Sequence, residues 1–384
     1  MHLQFLTLIL LSFIHPISAQ PKNWPGWNGI SNLFVFGDSY TATSFDINST
    51  QPNNANPLGN PAFPGQTFSN GRNYIDFLTY TYNDSLIYSY NIAMGGASVD
   101  SFGQPSMFRP FDQQVRQFFL PNYAQNSTKA KARWRSNDTL FTSFFGINDV
   151  NASFKLGRAN MSALHDTIFA TYAKLVDELY QAGARNFMFF NVPPIYRAPL
   201  TTAMGNASVE ANKFAVADFN LRLLNMVRSF SRQKADVAVF MMNTFTLFDG
   251  VLNDPKSRDE TKEYTNTTGS CMAYSFRNYN ETTFDPRCGA PQNQLFWLDT
   301  LHPTPPIHNA MAADVAALLR NNRFMDTTVA DTNTSSIPSI ASPQPAQSAF
   351  PVSNDAGRLL SSPMTGIQNL AVALLCLAIT GVLR

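Results

Sequence analysis

Ser39 and His302 carry the side chains that could transfer an acyl group. Ser39 follows a run of apolar residues in the stretch LFVFGDSY, where a Gly-Asp-Ser corner ends the run. A serine hydroxyl becomes a good nucleophile when a neighbouring base takes its proton. His302 is the candidate base, because Asp299 lies three residues earlier in DTLHPT and one tight turn can present both side chains. The alternative is that Asp299 caps the following helix and His302 packs on the surface. We expect Asp38 to brace the turn by hydrogen bonds to the backbone.

The other histidines are weaker candidates for the base. His2 and His15 lie in an N-terminal segment that we expect to be removed. His165 falls in the middle of a helical pattern, where we expect a surface or groove residue. His308 follows His302 by about one turn, at the expected start of a helix.

Acyl transfer also requires N–H donors for the negative charge that develops on the carbonyl oxygen. Ser39 N–H, at an expected helix start, is one candidate donor. Gly96 in AMGGAS is another, because the absence of Cβ lets a substrate approach its N–H, and the adjacent Gly95 could take the same role. Asn148 in GIND offers a side-chain amide. The simpler alternatives are a tight turn for the two glycines and a helix cap for the Asn-Asp pair.

Apolar runs and helical patterns alternate along the chain and define the elements that must position these residues. The strand-like runs are Leu33–Gly37, Tyr88–Ala93, Thr139–Gly146, Arg185–Val192 and Asp236–Asn243. Helical periodicity covers Met161–Ala182, Ser208–Phe230 and Ile307–Asn321. Nearly continuous apolar runs are typical of parallel strands buried on both faces. The alternation predicts an α/β fold, a three-layer α/β/α sandwich with a central parallel sheet. Ligands bind beyond the carboxyl ends of such strands, where GDS, MGGAS and GIND follow their runs.

In chain order, the blocks FGDSY, NIAMGGAS, GIND and DTLHPT resemble the four-block pattern of the SGNH, or GDSL, hydrolase superfamily. The resemblance extends from Leu33 to about Asn321 and implies the flavodoxin-like fold of that superfamily. It implies these roles: Ser39 as nucleophile and first oxyanion donor, Gly96 and Asn148 as second and third donors, His302 as base and Asp299 as its partner. The chain has no GxSxG motif, which disfavours the α/β-hydrolase family.

Two longer stretches, WPGWNGISNLFVFGDSYTATSF and NPAFPGQTFSNGRNYIDFLTYTYN, resemble secreted fungal GDSL esterases that remove acetyl groups from hemicellulose sugars. This resemblance implies a serine carboxylic ester hydrolase that cleaves short acyl esters on carbohydrates through an acyl-enzyme, without metal or cofactor. Aromatic residues suited to stacking on sugar faces are Trp24, Trp27, Phe68 and Tyr74. The alternative is a position in the core or at its rim, where aromatic residues of a large domain more often lie. The alternatives are a GDSL lipase or lysophospholipase and an inactive carbohydrate-binding cell-wall glycoprotein. The complete set of site residues counts against the last alternative.

Both ends of the chain carry patterns of targeting and attachment. Met1–Ala19 has the apolar core and small final residues of a secretory signal peptide. Residues 326–353 are rich in Ser, Thr and Pro, which is typical of an O-glycosylated stalk. Residues 354–384 combine a short spacer with an apolar tail and predict a GPI-attachment signal, with a transmembrane anchor as the alternative. We therefore expect a hydrolase domain at residues 20–325 that is secreted and held at the cell surface or wall.

Glycosylation motifs and cysteines agree with an extracellular location. Asn-x-Ser/Thr sequons occur at Asn48, Asn83, Asn126, Asn137, Asn151, Asn160, Asn206, Asn266, Asn280 and Asn333. Cys376 lies in the tail expected to be removed, which leaves Cys271 and Cys288 to form a disulfide in an oxidising compartment. A zinc site is the alternative for this pair, but no further ligand lies nearby in the sequence.

The charge balance narrows the expected partners. The net charge of +1 and the 14% of charged residues argue against nucleic-acid binding, which requires a basic excess. We expect an acylated small-molecule or carbohydrate substrate, contact with a membrane only through the C-terminal anchor, and a monomeric enzyme.

Overall fold

The central element of the fold is a five-stranded parallel sheet with the strand order β2-β1-β3-β4-β5. The computed structural model describes residues 21–101, 108–275 and 281–327. The strands of the sheet are β1 (Asn32–Gly37), β2 (Tyr88–Asn91), β3 (Thr139–Phe144), β4 (Asn186–Phe190) and β5 (Ala238–Met242). Each predicted run contains a strand. After β1 and β3 lie the Ser39 corner and the GIND segment, and the MGGAS segment follows β2.

Helices follow the strands and cover the sheet. The helices are α1 (Tyr74–Tyr80), α2 (Phe111–Gln113), α3 (Leu120–Tyr123), α4 (Ile147–Ser153), α5 (Arg158–Gln181), α6 (Pro199–Thr202), α7 (Asn206–Gln233), α8 (Thr244–Asn253) and α9 (Pro305–Arg320). A π-helical turn, Gln114–Phe119, joins α2 to α3. Short 3-10 turns occupy Trp27–Gly29, Phe154–Leu156, Ile195–Arg197, Pro255–Ser257, Met272–Ser275, Pro286–Cys288 and Gln292–Gln294. The three predicted helices correspond to α5, α7 and α9.

Two helix layers enclose the sheet. α1 packs against α9, α5 packs against α7, and both α7 and α9 contact β5. This arrangement confirms the predicted three-layer α/β/α sandwich. Every residue of β1, β3 and β4 is buried, which explains why these strands read as apolar runs.

Three of the four aromatic residues considered for stacking on sugars belong to the core. Trp24 packs against the ring of Phe240, and the indole N–H of Trp27 donates to the backbone oxygen of Tyr82. Tyr74 is fully buried at the start of α1. The core alternative therefore holds for these three residues. Burial in a large core removes more of their apolar area from water than a groove does and so stabilises the fold more. Residue type alone does not distinguish the two positions.

A small second sheet precedes the loop that carries His302. β6 (Asn266–Ser270) pairs in parallel with β7 (Leu295–Trp297). Cys271 and Cys288 form a disulfide with their Cα atoms 5.5 Å apart, which confirms the predicted pairing. The disulfide packs with Tyr274 and with residues 295 and 298, so it ties the segment between the two strands to the approach to the His302 loop.

Within the described ranges, no helix is both long enough and apolar enough to cross a membrane. The predicted signal peptide and anchor signal lie outside the described residues, as does the predicted stalk beyond Thr327.

Candidate active site

Ser39 lies just beyond the carboxyl end of β1 in a tight turn. The N–H groups of Thr41 and Ala42 donate to the backbone oxygen of Asp38 at 3.1 and 2.9 Å. The carboxylate of Asp38 accepts the N–H of Tyr40 at 3.0 Å, which is the bracing that we expected of this residue. The turn lifts the serine above the edge of the sheet.

No helix begins at Ser39, which contradicts the prediction of a helix start. The turn ends after one cycle of hydrogen bonds, and the next helix is α1 at Tyr74. The turn ends at Thr41, and Ser44 further along has φ of +63°, which is also outside helical geometry. The Ser39 N–H therefore belongs to a turn and has no helix dipole behind it.

His302 and Asp299 share a closed loop between β7 and α9. The N–H of Leu298 donates to the backbone oxygen of His302 at 2.8 Å and closes the loop. Asp299 Oδ1 accepts the N–H groups of Leu301 and His302 at 2.8 and 2.7 Å, and Asp299 Oδ2 accepts His302 Nδ1 at 2.7 Å. On the other side of the ring, His302 Nε2 lies 2.8 Å from Ser39 Oγ. The structure thus joins the three predicted side chains in one hydrogen-bonded series.

The charges around His302 suit a base. Burial would lower the pKa of His302, but the nearby carboxylates of Asp299 and Asp38 outweigh burial and hold this pKa above the usual 6.5. Burial would likewise raise the pKa of Asp299, and the attraction and hydrogen bonds of His302 reverse that effect and lower it. Because the ionised Asp299 binds Nδ1–H, Nε2 is the nitrogen that accepts the serine proton.

The two glycines of the MGGAS segment form a turn beside Ser39. In the turn at residues 94–97, the last N–H donates to the first backbone oxygen at 3.2 Å. Gly96 is the third residue of this turn and has φ of +79°, a conformation that strongly favours glycine. The N–H of Met94 donates to the backbone oxygen of Gly37 at 3.1 Å, so the turn is joined directly to the end of β1.

Two phenylalanine rings cover these glycines. A Cβ on Gly95 would lie 2.4 Å from the ring of Phe68, and a Cβ on Gly96 would lie 2.6 Å from the ring of Phe108. The Phe68 ring is also next to the imidazole of His302, with the ring centroids 5.1 Å apart. Phe68, unlike the three core aromatics, is therefore located at the candidate site.

Asn148 and Asp149 lie in the first turn of α4 and hold the glycine segment. Asn148 Nδ2 donates to the backbone oxygen of Ala97 at 2.9 Å, and Asp149 Oδ1 accepts the N–H of Val99 at 3.0 Å. The residue at the cap position is Gly146, so the Asn-Asp pair is not the helix cap that we considered as the alternative. An amide nitrogen carries two hydrogens, which leaves the second hydrogen of Asn148 for another acceptor.

Two residues that the sequence did not single out stabilise the site. The hydroxyl of Tyr40 donates to the backbone oxygen of Leu301 at 2.6 Å and links the serine turn to the histidine loop. The buried amide of Gln114 donates to the backbone oxygens of Gly37 and Arg109 at 2.8 and 2.7 Å and accepts the N–H of Gly37 at 3.1 Å. Gln114 opens the π-helical turn, and π-helical turns often occur near functional sites. The Gln114 contact has no local sequence signal, because it depends on chain packing.

Asp38 is a second carboxyl group close to the base. It is fully buried, and burial, with a smaller contribution from Asp149, raises its pKa to about 7. The interaction with His302 acts in the opposite direction. The group is therefore close to its own midpoint of ionisation at neutral pH.

The remaining histidines of the described residues are buried. His165 forms hydrogen bonds with Ser153 and Asp218 and is not a surface or groove residue, so that prediction is wrong. His165 belongs to α5, and the neighbouring helices α4 and α7 supply Ser153 and Asp218 as partners for its two ring nitrogens. His308 lies in the first turn of α9, as expected, and burial lowers its pKa to about 3. Across residues 21–101, 108–275 and 281–327, no group of three His, Cys, Asp or Glu side chains is placed to hold a metal ion.

Comparison with known proteins finds a matching family model and several similar proteins. The family model of the GDSL-like Lipase/Acylhydrolase matches residues 33–315. An acetylesterase of Thermothelomyces thermophilus is 35% identical over 235 residues, which cover 58% of this chain and 74% of that protein. A thermolabile hemolysin of Vibrio parahaemolyticus is 26% identical over 289 residues, 74% of this chain and 62% of that protein. Among solved structures, a variant of a Geobacillus acetyl-xylooligosaccharide esterase has a TM-score of 0.39 and 15% identity, covering 75% of this chain and 92% of that one.

Proposed function

This chain belongs to the GDSL-like lipase/acylhydrolase family and is an ester-bond hydrolase, and we propose on that premise that it removes short acyl groups, acetyl above all, from carbohydrates. One observation carries the proposal for the mechanism. Ser39 Oγ, His302 and Asp299 form a continuous hydrogen-bonded series beyond the carboxyl end of β1. A serine joined to a base in this way can form an acyl-enzyme.

The first half of the reaction transfers the acyl group to the enzyme. Ser39 Oγ attacks the ester carbonyl carbon while His302 Nε2 takes the hydroxyl proton. Negative charge develops on the carbonyl oxygen, where the N–H groups of Ser39 and Gly96 and the second amide hydrogen of Asn148 are the proposed donors. The bond between the carbonyl carbon and the sugar oxygen then breaks. His302 returns its proton to that oxygen, and the acyl group remains as an ester on Ser39.

The second half releases the acid. A water molecule gives a proton to His302 and attacks the acyl carbon, which again places negative charge at the donors. The bond to Ser39 Oγ breaks, the proton passes from His302 to that oxygen, and acetate leaves. Throughout, Asp299 keeps Nδ1 protonated and stabilises the imidazolium.

The substrate class is supported by the two phenylalanine rings at the site. Phe68 is half-buried beside His302, and an apolar ring face is suited to packing on a sugar ring. Phe108 packs against Gly96, a proposed oxyanion donor, and limits the room next to it. This wall favours a short acyl group over a long chain.

We further propose that the enzyme is secreted and attached to the cell surface through a GPI anchor. The sequence patterns at both ends support this location, and so does the Cys271–Cys288 disulfide, because disulfides persist in oxidising compartments. Release of the protein from intact cells by a phosphatidylinositol-specific phospholipase C would support the lipid anchor. Retention on the cells after complete digestion would contradict it.

The proposed activity is tested with the secreted full chain and the variant Ser39→Ala, with Ser49→Ala as the matched control at an exposed serine. The measurements are hydrolysis of p-nitrophenyl acetate, butyrate and decanoate, and release of acetate from acetylated xylo-oligosaccharides. We expect acetate esters to react fastest, sugar acetates to be cleaved, and Ser39→Ala alone to lose turnover. A preference for decanoate would overturn the short-acyl assignment, and turnover independent of Ser39 would overturn the mechanism.

A further inference from the structure

A second Ser–His–Asp arrangement lies inside the domain, between helices. His165 Nδ1 lies 2.7 Å from Asp218 Oδ2, and His165 Nε2 lies 2.9 Å from Ser153 Oγ. The serine and histidine are fully buried, and the aspartate is 2% exposed. An ester substrate cannot contact this hydroxyl in the folded protein. The arrangement therefore needs an explanation other than a second hydrolytic site.

Arg222 extends the network by binding the same oxygen of Asp218 as His165 does. Its Nε donates to Asp218 Oδ2 at 2.8 Å, and its Nη2 donates to Ser162 Oγ at 2.7 Å. Burial would raise the pKa of Asp218, but the hydrogen bonds of His165 and Arg222 outweigh burial and lower it. Asp218 and Arg222 belong to α7, while Ser162 and His165 belong to α5, so the network fastens these two long helices together.

The third helix in the network is α4, which carries site residues at its opposite end. Ser153 is the last residue of α4, and Asn148 and Asp149 lie in its first turn. A helix of this length is a short rigid rod of about 10 Å, at about 1.5 Å per residue. A shift of the Ser153 end is therefore transmitted to the amide of Asn148 and to the carboxylate that holds Val99.

The start of α4 rests on the same pair of helices. Gly146, immediately before α4, has φ of +122°, and a Cβ there would lie 2.4 Å from the ring of Phe219 in α7. That ring packs edge-on against the imidazole of His165, with the centroids 5.4 Å apart. The packing of α5 and α7 thus fixes both ends of α4.

We propose that His165 is a positioning residue for ester hydrolysis, which clamps the end of α4 through Ser153 and thereby aims the Asn148 amide at the oxyanion. The inference rests on the proposed function, since it takes Asn148 as an oxyanion donor. Placement of a donor matters because a misplacement of about 1 Å can cost about 100-fold in rate. The position of α4 also affects the MGGAS segment, because Asp149 of α4 accepts the N–H of Val99 directly after that segment.

The first test compares Ser153→Ala with Ser153→Thr, which keeps the hydroxyl. Ser153 also completes the Asn151 sequon, so His165→Gln is the control that breaks the same contact and keeps the sequon. We expect Ser153→Ala to lower kcat for p-nitrophenyl acetate about tenfold with KM nearly unchanged, because the lost interaction acts in the transition state. Ser153→Thr should recover kcat, and His165→Gln should lower kcat about as much as Ser153→Ala does. A Tm that falls while kcat stays at the parent value would overturn the proposal.

A double-mutant cycle provides the readout that a purely structural role would not change. Once Asn148→Ala has removed the amide, Ser153→Ala or His165→Gln should lower kcat less than about threefold further, because the aimed donor is gone. If the double variant shows the full loss of kcat of both single variants combined, the inference is overturned. His165→Gln serves in place of Ser153→Ala if Ser153→Ala folds poorly. Activity retained by Ser39→Ala would contradict the proposed function itself, so the two failures are distinguishable.

Discussion

The molecule contains two Ser–His–Asp arrangements with nearly the same geometry. The Oγ–Nε2 and Nδ1–Oδ2 distances are 2.8 and 2.7 Å for Ser39, His302 and Asp299. They are 2.9 and 2.7 Å for the buried network of His165. Distances alone therefore do not separate a candidate active site from a structural network.

The two arrangements differ in what surrounds them. Beside Ser39 lie the turn of Gly96 and the amide of Asn148, in the loops at the carboxyl edge of the sheet where ligands reach an open α/β fold. The buried aspartate is instead paired with Arg222, and its serine closes the end of a helix. Ser39 is 5% exposed and His302 is 8% exposed, whereas Ser153 and His165 have no exposed surface. The donors around the serine and this small exposure, rather than the triad itself, support Ser39 as the serine of the candidate active site.

The largest difference is expected from the same substitution at the two histidines. His302→Gln removes the base, and kcat for acetyl esters should fall on the order of 10⁴-fold. His165→Gln should lower kcat only about tenfold. Its main effect should be a lower Tm, because a buried hydrogen bond costs about 1–3 kcal/mol when one partner is left unsatisfied. The measurement is steady-state kinetics with thermal unfolding of both variants. Equal losses of kcat would remove the distinction between the two arrangements.

The second largest effect is expected at Asn148, the proposed oxyanion donor, because only the arrangement of Ser39 has such a donor. Asn148→Ala should reduce kcat by about 10²–10³-fold, as loss of one donor does in acyl-transfer enzymes. KM should change little, because the charge exists only in the transition state. Kinetics with p-nitrophenyl acetate test this expectation. A raised KM with a normal kcat would instead make Asn148 a ground-state binding residue.

The pH dependence of kcat/KM should report His302 and not His165. Neutral His302 is the active form, so activity falls as the pH drops through its pKa, and the neighbouring carboxylates place this pKa above 6.5. In Asp299→Asn, burial prevails and the pKa of His302 falls, so the acid limb should move to lower pH with a reduced plateau. His165→Gln should leave the limb where it is. A limb that moved in His165→Gln but not in Asp299→Asn would contradict the assignment.

The smallest expected effect is the pH dependence of stability at Asp38 and Asp218. The direction of this dependence is opposite at the two residues. Asp38 has a pKa raised from 3.8 to about 7, so its contribution to stability is complete below pH 3.8 and is lost as the pH rises through about 7. The Tm of Asp38→Asn relative to the parent should therefore increase by a few degrees from pH 4 to pH 7. Asp218 has a lowered pKa, so its contribution is present above pH 3.8 and is lost as the pH falls through the folded value. The deficit of Asp218→Asn should shrink in acid. If the Tm of both variants relative to the parent changed in the same direction with pH, the raised pKa of Asp38 and the lowered pKa of Asp218 would be contradicted.

The sequence predicted the sheet and the long helices because their patterns are local. Parallel strands covered on both faces leave apolar runs, and a helix such as α7 shows its own period. The candidate site was predictable for a related reason, since each motif directly follows a strand or stands just before α9. The strand order and the small β6–β7 sheet depend on distant contacts and have no such local pattern.

The errors have a common physical cause. His165 looks like an exposed polar residue in a helix, and only the packing of α5 against α7 supplies Asp218 as its partner. The turn at Ser39 ends at Thr41 and does not continue into a helix, which a helix-start pattern does not reveal. In each case the deciding neighbour is far away in sequence or the deciding dihedral angle is not encoded by residue type alone.

We propose that Ser39 is the activated serine of this protein and that Ser153 is not activated. Covalent labelling of the secreted full chain with a fluorophosphonate tests it most directly, because the serine oxygen displaces fluoride and the phosphonyl group stays on that oxygen. After proteolysis, mass spectrometry should place one label per chain on the peptide that contains Ser39. The label should be absent in Ser39→Ala and slow to form in His302→Gln. Labelling of Ser153, or labelling of Ser39→Ala at the parent rate, would contradict the claim.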